Sequence, residues 1–153
     1  VQRAFSDMKD KYGSTAYAAQ AGLLAAKTLQ DQGKSAEARA ALDWVADKAP
    51  DDGLRAVARL RLASVMVGEK AYDDAIKVLG ASFPTEFTAL AADRRGDVLM
   101  LQGKREQAAV EYGRAYQGLR DQGDDYRQLV AVKLNALGID PEADTTKTGS
   151  KQS

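Results

Sequence analysis

Gly103-Lys-Arg-Glu-Gln-Ala108 repeats in kind an earlier stretch, Gly33-Lys-Ser-Ala-Glu-Ala38. In both, a run of helix-favouring residues stops at a glycine, a few polar residues turn the chain, and an alanine anchors a second such run. A looser copy, Gly68-Glu-Lys-Ala-Tyr-Asp-Asp-Ala75, lies between them. The anchoring alanines Ala38, Ala75 and Ala108 are 37 and 33 residues apart. That spacing is close to the roughly 34 residues of a helix–turn–helix unit that stacks on copies of itself. Such units build curved surfaces that hold other polypeptides and seldom carry out chemistry.

Working outward from the copies, nearly every segment reads as helix, because Ala, Leu, Gln, Lys, Arg and Glu dominate. The first helix is expected over about Gln2 to Lys11, stopping at Gly13. A second starts at Ser14 or Thr15, either of which can cap its free amides, and ends at Gly33. A third covers Ser35 to Lys48, and Pro50 forbids its continuation. A fourth starts near Asp51 or Asp52 and runs to Val67. A fifth covers Tyr72 to Leu79, a sixth Glu86 to Gln102 and a seventh Arg105 to Leu119. An eighth starts at Gly123 and Asp124 and ends at Gly138, where Ile139 is placed to fold back in a Schellman-type cap before Pro141.

The spacing fits a tetratricopeptide-like unit, whose two helices approach closely only where small side chains sit at their crossing. With Ala38, Ala75 and Ala108 as anchors, the small partners on the preceding helices are Ala26, Ala63 and Gly96. Gly68 stands two residues from its expected place, which predicts a longer second turn. The predicted architecture is all-α: a tetratricopeptide-like solenoid of helical hairpins, about three repeats with flanking N- and C-terminal helices. A plain alanine-rich helical bundle is the alternative. The domain spans residues 1–140. Residues 141–153 lack aromatic and large aliphatic side chains and read as a disordered tail.

Composition excludes several functions. Lys plus Arg and Asp plus Glu are each 22, so no basic excess attracts nucleic acid. The chain contains no histidine and no cysteine. It therefore lacks the commonest general base, the commonest metal ligand, thiolate nucleophiles and disulfides. No glycine-rich phosphate loop or nucleophile elbow is present. No catalytic residue, metal site or cofactor is expected. The most apolar stretch, Ala16 to Leu29, is broken by Gln20 and Lys27 and is too short to span a bilayer. The chain opens at Val1 without a methionine, which suggests a processed or truncated product whose upstream targeting or anchoring segment was removed.

Several blocks resemble one family. Tyr12-Gly13, an alanine-rich helix and Gly33-Lys-Ser-Ala-Glu-Ala-Arg-Ala-Ala-Leu42 are similar to the periplasmic part of the ancillary SecYEG translocon subunit family (YfgM-like proteins). So are Leu54-Arg-Ala-Val-Ala-Arg-Leu-Arg-Leu-Ala63, the block from Ala92 through Arg95-Gly96-Asp97 to Ala109, and the closing Val132-Lys-Leu-Asn-Ala-Leu137. The likeness covers about residues 5 to 139. Arg94 departs from the aliphatic residue usual there, and the stretch after Asp140 is an extension. The resemblance implies a noncatalytic, chaperone-like adaptor of the Sec translocon that helps pass secreted proteins to periplasmic chaperones. Its implied partners are SecYEG, a membrane-anchored chaperone of the peptidyl-prolyl isomerase class (PpiD) and unfolded secretory polypeptides. Its implied place is the periplasmic side of the inner membrane, with this chain the soluble domain without its N-terminal anchor. A structural scaffold of cell-envelope assembly that binds one folded partner is the other reading.

In a tetratricopeptide stack the first helix of each hairpin lines the concave face. In this register it offers Gln20, Leu23, Lys27 and Gln30, then Val57, Leu60, Ser64 and Val67, then Leu90, Asp93, Asp97 and Met100. The row Leu23, Leu60, Val67, Leu90 and Met100 suits apolar segments of unfolded clients, although each of these residues also reads as core under a neighbouring helix. Asp93 and Asp97, four apart, have the geometry of a cation site or an acid/base pair. With no histidine and with arginines adjacent, they are expected on a solvated or salt-bridged face. Arg55, Arg59 and Arg61 are read as solvated. Trp44 is placed either as an interface anchor or against a neighbouring helix, and Tyr112 and Tyr116 in the core or between repeats.

Overall fold

The computed structural model describes residues 1–13, 15–121 and 124–143. Among them are eight α-helices and no strand: α1 (Gln2–Tyr12), α2 (Ala16–Asp31), α3 (Ser35–Lys48), α4 (Asp52–Gly68), α5 (Tyr72–Leu79), α6 (Thr85–Leu101), α7 (Arg105–Gly118) and α8 (Asp124–Ala136). The order and number match the all-α hairpin reading, with ends within a residue or two of those expected. Thr15 caps α2, its hydroxyl accepting from the Ala18 amide at 3.2 Å. Asp51 caps α4 through the Leu54 amide at 2.9 Å. Ser14 and Gly123, also placed at helix starts by the sequence, lie outside the described residues, as does the expected tail from position 144.

The chain divides into two compact units, Val1–Pro84 and Thr85–Ser153. In the first, α2 and α3 form one hairpin, α4 and α5 a second, and α4 packs on α3. Helix α1 leans on α2. Phe5 on α1 is buried, and its ring meets Trp44 edge-on at 5.4 Å. Trp44 therefore packs against a neighbouring helix. In the second unit α6 and α7 form the hairpin and α8 packs on α7. The anchoring alanines Ala38, Ala75 and Ala108 are fully buried, as the crossing positions of these hairpins require.

One expectation is overturned. The second turn is not longer than the others. After α2 the Lys34 amide donates to Leu29 O at 2.8 Å and the Gly33 amide to Gln30 O at 2.9 Å. The same pair of bonds follows α4, from Ala71 to Met66 O and from Lys70 to Val67 O, and follows α6, from Lys104 to Leu99 O and from Gly103 to Met100 O. Each is a Schellman closure, which places one residue in the left-handed region. Gly33 and Gly103 take that conformation at φ 72° and 74°, and Lys70 takes it at φ 60°. Gly68 is thus the last residue of α4, and the turn residue is a lysine in register with the two glycines.

The closure recurs after α8, from Ile139 to Leu134 O and from Gly138 to Asn135 O, with Gly138 at φ 81°. Counting on by the same interval gives a fourth copy of the phrase, Gly138-Ile-Asp-Pro-Glu-Ala143. Within it the Asp140 carboxylate accepts from the Glu142 amide at 3.0 Å, and Pro141 lies in the turn between them.

The close approach within the α6/α7 hairpin explains Gly96. A Cβ there would lie 2.4 Å from Cε1 of Tyr112. Tyr112 is the residue four past Ala108, and the residues four past Ala38 and Ala75 are Leu42 and Leu79. The wider ring at that position leaves room only for glycine opposite it.

Candidate interaction faces

Register fixed by the four turns assigns each first-helix residue to a column. Taking Ala26, Ala63, Gly96 and Ala131 as equivalent, the residues two before them are Leu24, Arg61, Arg94 and Leu129, all exposed. Those one after are Lys27, Ser64, Asp97 and Val132, exposed except for the half-buried Asp97. Those five after are Asp31, Gly68, Leu101 and Ala136, all exposed. These three columns are the open face of the first helices in each unit.

The sequence-derived set overlaps that face only in part. In the first unit Gln20, Lys27 and Ser64 are exposed, while Val57, Leu60 and Val67 are half-buried. Leu23 is only 8% exposed, whereas its neighbour Leu24 is 67% exposed. One residue is about 100° of helix rotation, so α2 presents Leu24 outward and keeps Leu23 for the core. Tyr17, two turns before Leu24 on the same side, is also exposed and meets Tyr12 edge-on at 5.9 Å. Leu24 and Tyr17 are thus the large apolar residues that α2 leaves exposed. Alternation of exposure between Leu23 and Leu24 has no hydropathy signature, since both are leucine.

The three arginines expected as solvated are staples within the first unit. Arg55 pairs with Asp52 and donates to Ala49 O at 2.6 Å. Arg59 donates to Ser82 O at 2.7 Å, and Arg61 to Leu23 O at 3.4 Å, tying α4 to α2. A hollow of about 450 Å³ opens beside the short α5, with Leu62, Met66 and Val78 among its lining and Arg39, Asp43 and Lys77 on its rim.

In the second unit Leu90 and Met100 are half-buried, and the two aspartates lie at the seat of α8. Lys133 Nζ donates to Asp93 Oδ1 and to Asp97 Oδ1, both at 2.7 Å. Tyr126 donates to Asp93 at 2.6 Å and Tyr112 to Asp97 at 2.8 Å. Asp93 is 2% exposed, so a groove position is corrected to a buried one, and the salt-bridged reading holds. Burial, and next the bond to its aspartate, raises the pKa of each phenol. Both therefore stay protonated donors at neutral pH. Each of these oxygens accepts from a donor of this chain, as a salt-bridged helix seat requires.

Tyr116 is buried, as expected; its hydroxyl bonds Glu142, and Arg127 lies 4.1 Å over its ring. Glu111, nearly buried, pairs with Arg114 at 2.7 Å and Arg95 at 3.4 Å. Among the described residues no group of three or more acidic, histidine or cysteine side chains is arranged to hold a metal ion. No described helix is long and apolar enough to cross a membrane.

Helical hairpins with open first-helix columns and a polar network that seats a helix define a helical repeat protein. The family model of the tetratricopeptide repeat-like domain matches residues 1–139, and the chain belongs to that family. It is 31% identical over 137 residues to a protein of Neisseria gonorrhoeae (strain ATCC 700825 / FA 1090) named ancillary SecYEG translocon subunit, covering 90% of this chain and 65% of the relative. It is 30% identical over 123 residues to an Escherichia coli (strain K12) protein of the same name, covering 80% of this chain and 59% of that one. The chain thus spans 59–65% of the length of these curated relatives.

Proposed function

We propose that this chain is a noncatalytic protein–protein interaction module that works beside the Sec translocon, as a chaperone-like adaptor on the periplasmic side of the inner membrane. The observation that carries the proposal is the shared name of two relatives from different organisms, each aligned over most of this chain. The fold supports it, because hairpin repeats present side chains for polypeptide contact and this one leaves its first-helix columns open. In this reading SecYEG, a PpiD-type chaperone and unfolded secretory polypeptides are the partners. The contacting residues are Gln20, Leu24, Lys27 and Ser64 in the first unit and the open columns of the second, with any membrane attachment made outside this chain.

The test is co-purification of the full-length protein with SecYEG from detergent-solubilised membranes, together with photo-crosslinking from positions 24 and 64 to a stalled secretory chain. Enrichment of translocon subunits and crosslinks to the nascent chain are expected. Neither signal above that of an unrelated repeat protein overturns the proposal. Crosslinks to one folded envelope protein, with none to the nascent chain, favour the scaffold reading instead.

A further inference from the structure

Helix α8 is apolar on two sides. Val130, Ala131 and Leu134 are buried inward. Leu129 and Val132 are 52% and 63% exposed, and Ala136 is exposed in line with them. The spacing of Leu129, Val132 and Ala136, i, i+3 and i+7, is that of a helix–helix seam. The equivalent columns elsewhere are mostly polar: Arg61, Ser64 and Gly68 on α4, and Arg94, Asp97 and Leu101 on α6. The side of α8 that would meet a following hairpin is different again. There Gln128 is exposed, at the column held by Leu23 on α2 and Asp93 on α6. The apolar seam thus lies on the open columns of α8, and the exposed polar Gln128 lies outside it.

Charge selects what fits the seam. Both cations of α8 are used on this unit itself, Lys133 by Asp93 and Asp97 and Arg127 by Tyr116 and Glu142. Asp125 at the start of α8 and Asp140 beyond its end are exposed, with no cation against either carboxylate among the described residues. A second copy of α8 would bring acid to acid in either orientation: Asp125 to Asp125 if parallel, Asp125 to Asp140 if antiparallel. Three apolar side chains along about 10 Å of helix also fall far short of the roughly 800 Å² per partner of a stable dimer.

We infer that the outward face of α8 receives one amphipathic helix of a different protein, whose apolar row is flanked by lysine or arginine. Its apolar side chains lie against Leu129, Val132 and Ala136, and its basic flanks neutralise Asp125 and Asp140. This deepens the function proposed above and rests on its claim that the first-helix faces bind polypeptide.

The test uses a fluorescent helical peptide of about 18 residues, long enough to hold helix, with leucines along one face and lysines on both flanks. It is titrated with the whole chain and followed by anisotropy. Saturable binding is expected, weakened tenfold or more in Leu129→Gln/Val132→Gln and equally when glutamates replace the flanking lysines. Val110→Gln, an exposed apolar position on α7 outside the first-helix columns, leaves it unchanged. Asp125→Lys, a surface change that leaves the seam intact, shifts preference toward the glutamate peptide. Equal binding of both peptides, or binding indifferent to the α8 changes, overturns the inference. So does a dimer in sedimentation that the seam variant abolishes. Loss of peptide binding with translocon co-purification intact removes this inference alone, and the reverse outcome removes the translocon reading alone.

Discussion

Helices α4 and α8 follow the hairpins α2/α3 and α6/α7 and are seated on them by opposite chemistry. At one shared column of the preceding first helix stands Leu23 in the first unit and Asp93 in the second. Leu23 offers nondirectional apolar area, with one Arg61 bond to its carbonyl. Asp93 offers a desolvated carboxylate that accepts from the Lys133 ammonium and the Tyr126 hydroxyl. An apolar seat tolerates small shifts, because burial depends on area. The ionic seat fixes α8 in one register, because its partners must arrive at hydrogen-bonding distance together. The difference teaches that a single column in the same repeat frame can be filled by area or by charge, with the same helix order resulting.

The largest expected effect comes from breaking the ionic seat. Lys133→Met leaves two carboxylates facing each other, one of them buried, and is expected to destabilise the second unit by about 3–5 kcal/mol. Urea unfolding followed by far-UV circular dichroism reads the loss. Fluorescence of Trp44, the sole tryptophan and a first-unit residue, reports whether the first unit is spared. Leu23→Ala in the first unit has no charge to strand. If Lys133→Met costs no more than an exposed substitution, the ionic seat contributes nothing and the contrast falls. Next in size is Gly96→Ala, which forces a Cβ against Tyr112 and is expected to cost about 1–3 kcal/mol. Adding Tyr112→Leu gives the second unit the alanine and leucine that stand at the equivalent positions, Ala26 and Leu42, of the first hairpin. A double-mutant cycle is expected to show favourable coupling between the two changes, and additive losses would sink the steric account.

Helix order and most helix ends were legible in the sequence because each break carries a chemical mark: Gly33, Pro50, Pro84 and Gly103. The faces were less legible. Leu23 and Leu24 are identical side chains on adjacent positions, and only the seat of α4 decides which turns inward. Asp93 looked like a surface residue because its partners Tyr126 and Lys133 are 33 and 40 positions away in sequence. Nothing local to α6 announces them. The fourth turn was half-legible: Gly138 and Ile139 pointed to the Schellman cap. Its register with Gly103 rests on the shared Schellman closure and the left-handed glycine, which only the backbone shows.

The smallest expected effect tests the turns, a feature that the two units share. Gly33, Lys70 and Gly103 close hairpins with the same two hydrogen bonds, yet only Lys70 carries a Cβ into the left-handed region. That conformation costs a residue with a side chain about 1–2 kcal/mol. Glycine at that position removes the clash but makes the unfolded chain more flexible, which offsets part of the gain. Lys70→Gly is therefore expected to stabilise the first unit by about 0.5–1 kcal/mol, read as a rise in the urea midpoint of Trp44 fluorescence. Gly103→Lys makes the converse change in the second unit and is expected to cost a similar amount. Equal and opposite shifts mean that the loose copy differs from the strict ones by one strained residue. A neutral or destabilising Lys70→Gly means that the lysine side chain contributes something at this turn that the shared backbone geometry does not.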